Sequence, residues 1–113
     1  MTSIEEQAAL FAVLADPTRL KLLRLLAQQQ EPNAFCVNAL AYQLGVTQSA
    51  VSQHLRVLKS AGLVKGERRG YRVHYFINHE ALAQAQEQVS VALNLVEERT
   101  DGTNSKRWNN ETE

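Results

Sequence analysis

Ser49, Ser52, Gln53, Arg56 and Ser60 recur at helical spacing opposite Val51, Leu55 and Leu58. The three apolar residues stand at i, i+4 and i+7, so one side of a helix faces a core and the other faces out. Hydroxyls, an amide and a guanidinium on an open helix face can hydrogen-bond base edges in a major groove. A solvated helix face has the same composition, so the neighbours must decide. Gln48 and Ser49 open the segment, where they can cap the helix or donate to phosphate. Lys59, Lys65, Arg68, Arg69 and Arg72 follow, all cations suited to phosphate contact. Gln53 and Arg56 are the base-edge candidates. His54, beside the core stripe, reads as structural.

Groupings for catalysis do not stand out. There is no Gly-rich phosphate loop and no His-Glu-x-x-His, and Cys36 with His54, His74 and His79 makes no nucleophile–base pattern. The expectation is therefore a binding protein, not an enzyme, with no cofactor and no metal site. Cys36 keeps three readings. It can be a small buried hydrophobe, a thiol that senses oxidants or thiol-reactive species if exposed and acidified, or part of a metal site completed by His or by a second subunit.

These residues need elements to hold them. Ile4, Ala8, Phe11 and Ala15 fall at helical spacing, with Ser3 as N-cap and Glu5 and Glu6 in the first turn. A second helix follows, capped by Asp16 with Pro17 at its first position. Its broad Leu face, Leu20 to Leu26, predicts a central buried helix. Asn38 can cap a short helix through Leu44; Gly45 then suits a left-handed C-terminus, and Thr47 caps the helix from Gln48 to Ala61. Two short helices joined by a Gly-containing turn make a helix-turn-helix.

Two strand-like runs come next, Leu63–Lys65 and Tyr71–Ile77, the second alternating Val73, Tyr75 and Ile77 against Arg72, His74 and Phe76. Between them Gly66–Gly70 reads as a charged hairpin loop, which makes the pair a wing. A last helix runs from His79 or Glu80 to Arg99, with a stripe of Leu82, Val89, Leu93 and Val96. From Thr100 on, the sequence is polar and reads as a disordered tail, with Trp108 exposed in it. Residues 1–99 are thus one domain and 100–113 a tail.

The charge balance hides a pattern. Net charge is zero, from 12 Lys+Arg and 12 Asp+Glu. Residues 48–76 nonetheless carry six basic side chains against Glu67 alone, net +5, while residues 1–47 are at −1 and 77–113 at −4. A local basic field of this kind favours a polyanionic partner. At 113 residues and 44% hydrophobic content, collagen-like, mucin-like and wholly disordered classes are excluded. No apolar stretch approaches the ~20 residues of a membrane span. A single cysteine makes no internal disulfide and no secretory pattern opens the chain, so a cytoplasmic location is expected.

The runs Leu14-Ala15-Asp16-Pro17-Thr18-Arg19-Leu20, Leu44 to Leu58, and Ala61-Gly62-Leu63-Val64 resemble the ArsR/SmtB family of bacterial transcriptional repressors. Arg68, Arg69, Gly70 and the Tyr71–Tyr75 strand resemble its wing. The resemblance covers roughly residues 4 to 99. It implies a mainly α winged helix-turn-helix of order α-α-α-α-β-β-α with a two-stranded hairpin. It also implies a homodimer through the first and last helices, an inverted-repeat operator in double-stranded DNA, and release by a metal or thiol-reactive inducer. Long apolar stripes in the end helices suit such a dimer, though each can also serve an internal core.

The two best-known sensing sites of that family are not intact here. Arsenic-responsive members carry Cys-Val-Cys-Asp-Leu where this chain has Cys36-Val37-Asn38-Ala39-Leu40. One thiol falls short of what a soft metal prefers. The zinc ligands of the last helix align with His79, Ala81, Ala92 and Leu95. Two rival readings stay open: a winged-helix protein-interaction module without DNA recognition, and a DNA-binding regulator with no metal input. The basic wing and the hydrogen-bonding helix face favour DNA.

Overall fold

A computed structural model describes residues 3–29 and 34–98. Its elements are α1 (Ile4–Leu14), α2 (Pro17–Gln28), β1 (Phe35–Cys36), α3 (Val37–Leu44), α4 (Gln48–Ser60), β2 (Val64–Arg69), β3 (Arg72–Ile77) and α5 (His79–Glu98). The expected helix-turn-helix and hairpin are present. The tail from Thr100 and Trp108 lie outside the described residues.

Local chemistry sets most boundaries. Ser3 Oγ accepts from the Glu6 amide while Glu6 Oε1 accepts from the Ser3 amide, a capping box that starts α1. Asp16 Oδ1 accepts from the Thr18 and Arg19 amides and starts α2, with Pro17 where no amide donor is needed. Thr47 Oγ1 accepts from the Ala50 amide and starts α4. Gly45 ends α3 at φ 68°, a left-handed conformation that glycine adopts without a Cβ penalty.

The start of α3 and the extent of the sheet differ from expectation. The short helix starts at Val37, with Cys36 rather than Asn38 at the N-cap. The reason lies upstream, where Phe35 and Cys36 pair with Tyr75 and His74 as a third, antiparallel strand. Extended backbone at Cys36 leaves Asn38 inside the first turn. The Gln29 side chain ties this strand in: its Nε2 donates to Tyr75 O at 2.7 Å and its Oε1 accepts from the Phe35 amide at 2.8 Å.

The charged loop Gly66–Gly70 is also mostly strand. Register runs from Val64↔Ile77 to Arg69↔Arg72, so only Gly70 and Tyr71 form the turn. Gly66 permits this. A Cβ there would meet Val73 Cγ1 at 3.0 Å and Tyr75 Cε1 at 3.3 Å, so the Tyr75 ring lies where a side chain would stand.

The sheet order is β1-β3-β2. The core gathers Leu22 and Leu26 from α2, Leu40 from α3, Val51, Leu55 and Leu58 from α4, and Leu63, Val64 and Ile77 from the hairpin base. Leu22, Leu40, Val51 and Leu58 have no exposure at all. The end helices differ. No residue of α1 is fully buried, with Ile4 78% and Phe11 39% exposed, and Leu93 of α5 is 60% exposed. Both helices pack on the core by one face only and keep apolar surface open.

Candidate nucleic-acid interface

The α4 helix is held from behind. Val51, Leu55 and Leu58 sink into the core, which turns Gln48, Ser49, Gln53, Arg56, Lys59 and Ser60 outward, with Ser52 half-buried. Gln48, Ser49, Ser52, Gln53, Arg56 and Lys59 form no side-chain hydrogen bond or ion pair with other described residues. Their donors and acceptors are therefore uncommitted. Ser52, Arg56 and Lys59 also meet Tyr75 of β3 around a cavity of about 250 Å³, which brings the helix and the hairpin into one surface.

The wing cations divide into two kinds. Lys65 and Arg68 are exposed and make no side-chain hydrogen bond or ion pair with described residues. Arg69 and Arg72 are engaged. Arg69 Nε lies 2.9 Å from Glu67 Oε1, and its guanidinium sits over the Phe76 ring, 4.9 Å from the centroid. That arrangement couples cation–π attraction to an ion pair and stiffens the hairpin. Arg72 Nη1 reaches Cys36 Sγ at 3.9 Å. The sequence grouped these three arginines as equivalent; their partners, distant in sequence, separate them.

Cys36 is buried, at 8% exposure, at the start of α3. It lines a cavity of about 250 Å³ with Val37, Asn38, Arg72, Val73 and Tyr75. Burial pushes its thiol up, but the amide N–H groups of Ala39 and Asn38 and the Arg72 guanidinium outweigh that and hold it below the ordinary thiol value. His74 stands opposite Cys36 in the sheet register and Glu67 opposite His74 on the other side. His74 Nδ1 is buried without a hydrogen-bond partner. No group of three His, Cys, Asp or Glu side chains is placed to hold a metal ion among the described residues.

His54 is where the sequence reading put it, in a structural contact. Its Nδ1 lies 3.4 Å from Arg19 Nη1 and 3.9 Å from Asp16 Oδ1. Arg19 also donates from Nε to Val13 O at 2.7 Å and from Nη2 to Ala12 O at 3.4 Å. One guanidinium thus closes the end of α1 and touches the recognition-type helix. Sequence reasoning missed this role for Arg19 because it depends on a turn between two helices. It also passed over Tyr71, 101% exposed at the hairpin turn. The signal was available: an aromatic residue beside Gly70 in the middle of the basic run.

Comparison with known proteins supports the same geometry. The profile of the family described as bacterial regulatory protein, arsR family, matches residues 16–65. An uncharacterized HTH-type transcriptional regulator of Methanocaldococcus jannaschii is 39% identical over 77 residues, 68% of this chain and 83% of that protein. A transcriptional repressor SmtB homolog of Synechocystis sp. is 44% identical over 77 residues, 66% of this chain and 55% of that protein. The match thus spans little more than half the length of that repressor. Among solved structures, the homodimeric winged helix-turn-helix DNA-binding domain of a possible ArsR-family regulator from Mycobacterium bovis superposes with a TM-score of 0.62. It is 35% identical over 80% of this chain and 82% of that one. The chain belongs to the arsR family of bacterial regulatory proteins.

Proposed function

We propose that this protein is a sequence-specific double-stranded DNA-binding transcriptional regulator, acting as a repressor on an inverted-repeat operator. The observation that carries the reading is the uncommitted polar face of α4 beside a basic hairpin. Gln53 and Arg56 read base edges in the major groove. Gln48, Ser49, Ser52, Lys59, Lys65 and Arg68 hold phosphates, as do Arg69 and Arg72 when they swing from their partners. Residues 1–99 act as one unit in this reading.

The working species is a homodimer through α1 and α5. Open apolar surface at Ile4, Phe11 and Leu93 supports that assembly, since monomers rarely leave such stripes uncovered. A two-fold dimer would set its α4 helices about 34 Å apart, on successive major grooves of one DNA face. The protein would work in the cytoplasm, and no described helix is long and apolar enough to cross a membrane. The arsR family is one of bacterial regulatory proteins, and we infer a binding role without a catalytic step.

Cys36 is the proposed sensor. Cys36 is only 8% exposed, but it lines the cavity shared with Arg72, and that opening together with the lowered thiol favours a thiol-reactive effector over a metal. A peroxide would transfer one oxygen to the thiolate, giving a sulfenate and releasing water. The new anionic oxygen would hold Arg72 at the start of α3 and away from phosphate.

Selection of binding duplexes from a random pool tests the DNA reading. Recovery of an inverted repeat whose half-sites are one helical turn apart is the expected result. A pool that stays random after repeated rounds, with folded protein, would overturn it.

A further inference from the structure

A groove of about 740 Å³ runs between α1 and α4. Ala9, Leu10 and Val13 line one wall, and Val57 and Ala61 line the other. Leu10 and Val13 are half-buried and back onto the core, while Val57 stays 36% exposed. At about 100° per residue, Leu10 and Val13 lie on the side of α1 roughly opposite Ile4 and Phe11. The dimer face proposed above therefore leaves the groove open. Its α1 wall runs from Glu6 to Val13, about 10 Å at the helix rise, long enough for a short alkyl chain. The α4 wall also carries two polar groups, Arg56 and Ser60, and neither has a side-chain partner among the described residues. The Glu6 carboxylate opposite is committed. Its Oε1 accepts from the Ser3 amide at 2.9 Å in the cap of α1, where the helix dipole balances its charge. The groove is thus apolar along its length, and the Arg56 guanidinium is its uncommitted charge.

We propose that this groove binds an amphipathic carboxylate of the fatty-acid class, with its alkyl chain between α1 and α4 and its carboxylate on Arg56 and Ser60. An apolar cleft with a few polar groups at one side is the usual form of a small-molecule site. A guanidinium meets a carboxylate with two parallel N–H donors, and the Ser60 hydroxyl adds a third. An alkyl chain covers Leu10, Val13 and Val57, so burial and charge favour the same ligand. A cationic ligand would bring its charge against Arg56, and a neutral one would leave that guanidinium unpaired. The site shares no residue with the Cys36 cavity, so it is an input independent of thiol chemistry. Its output runs through Arg56. That side chain is a base-edge candidate on α4, and a carboxylate that holds it withdraws it from DNA. Binding in the groove stands without the DNA-binding reading above; the release of DNA rests on it.

The test uses the full chain, with sodium octanoate as the probe. Isothermal calorimetry should show saturable binding of octanoate. Octan-1-ol should bind about tenfold more weakly, and octylamine not at all. Arg56→Ala should weaken octanoate about tenfold, as for loss of a hydrogen bond to a charged group, and Arg56→Lys should fall between. Ala9→Phe fills the groove from an exposed position, so it should abolish octanoate binding with an unchanged melting curve. In anisotropy on the DNA upstream of its gene, saturating octanoate should weaken wild type about tenfold and leave Ala9→Phe unaffected. No octanoate binding by a folded dimer, as when the second copy already fills the groove, would overturn the site. Equal binding of the alcohol, or undiminished binding by Ala9→Phe, would overturn it too. Octanoate bound with DNA affinity unchanged would overturn the release alone. Failure of wild type to bind any duplex would overturn the DNA reading, with calorimetry still deciding the site.

Discussion

Arg72 Nη1 stands 3.9 Å from Cys36 Sγ, which joins the wing to the start of α3. The contact makes the reactivity of the thiol depend on a wing residue. Cys36 should react with iodoacetamide with a pH midpoint below that of an ordinary thiol, because the Asn38 and Ala39 amides and Arg72 outweigh burial. Arg72→Gln should raise that midpoint and slow the reaction at neutral pH, read as alkylation rate against pH. A thiol whose folded value is depressed contributes stability above its unfolded value and loses it as pH falls through the folded value. An unchanged midpoint in Arg72→Gln would remove the guanidinium from the account.

Asp16 gives a second pH effect. The Arg19 amide holds its carboxyl below the ordinary range, against some desolvation, with His54, the Thr18 amide and the Arg19 charge adding to the lowering. Its contribution is therefore complete above the unfolded carboxylate value and lost as pH falls through the folded one. Asp16→Asn keeps a capping oxygen and does not titrate. Its melting temperature should lie below wild type at about pH 6 and approach it by about pH 3. A constant gap across that range would contradict the charge-based contribution.

The core behind α4 should be intolerant of cavities. Leu58 has no exposure and backs the helix face that carries Arg56 and Lys59. Leu58→Ala should cost about 2–5 kcal/mol in urea unfolding, the range for deleting a buried leucine side chain. Gln53→Ala, on the open face, should leave the urea midpoint almost unmoved. Equal losses in the two variants would place Gln53 in the core.

Assembly should respond to charge on the end helices. Phe11 and Leu93 are 39% and 60% exposed in the single chain. Leu93→Glu should shift the protein from dimer to monomer in sedimentation velocity, and DNA affinity should fall with it because one half-site is lost. A dimer of unchanged mass would place the interface elsewhere.

How far the sequence reaches depends on whether the deciding contacts are local. Ser3, Asp16, Thr47 and Gly45 act within one turn of their own position, so the helix starts and the turn of the helix-turn-helix were legible. The face of α4 was legible too, from Val51, Leu55 and Leu58 alone. β1 was not, because two residues carry no alternation and pair only through β3, far along the chain. Losing β1 also misplaced the cap of α3 onto Asn38. The run Gly66–Gly70 reads as a hairpin loop because Gly66 looks like a turn residue, whereas it makes room for the Val73 and Tyr75 side chains. Arg69 and Arg72 were grouped with Arg68 because Phe76 and Cys36, which hold them, are brought near only by the sheet.

In the proposed function α4 and the wing together recognise duplex DNA. The most direct measurement is anisotropy of wild type, Arg56→Ala and Arg68→Ala on upstream DNA and on a shuffled duplex, in reducing buffer across a salt series. Wild type should prefer the upstream DNA by about a thousandfold or more, with a steep salt slope. Arg56→Ala should lose about 1–3 kcal/mol of that preference, and Arg68→Ala should weaken both duplexes alike and lower the slope by about one unit. A folded dimer that binds neither duplex at low salt would contradict the account and leave a winged-helix protein-interaction module in its place.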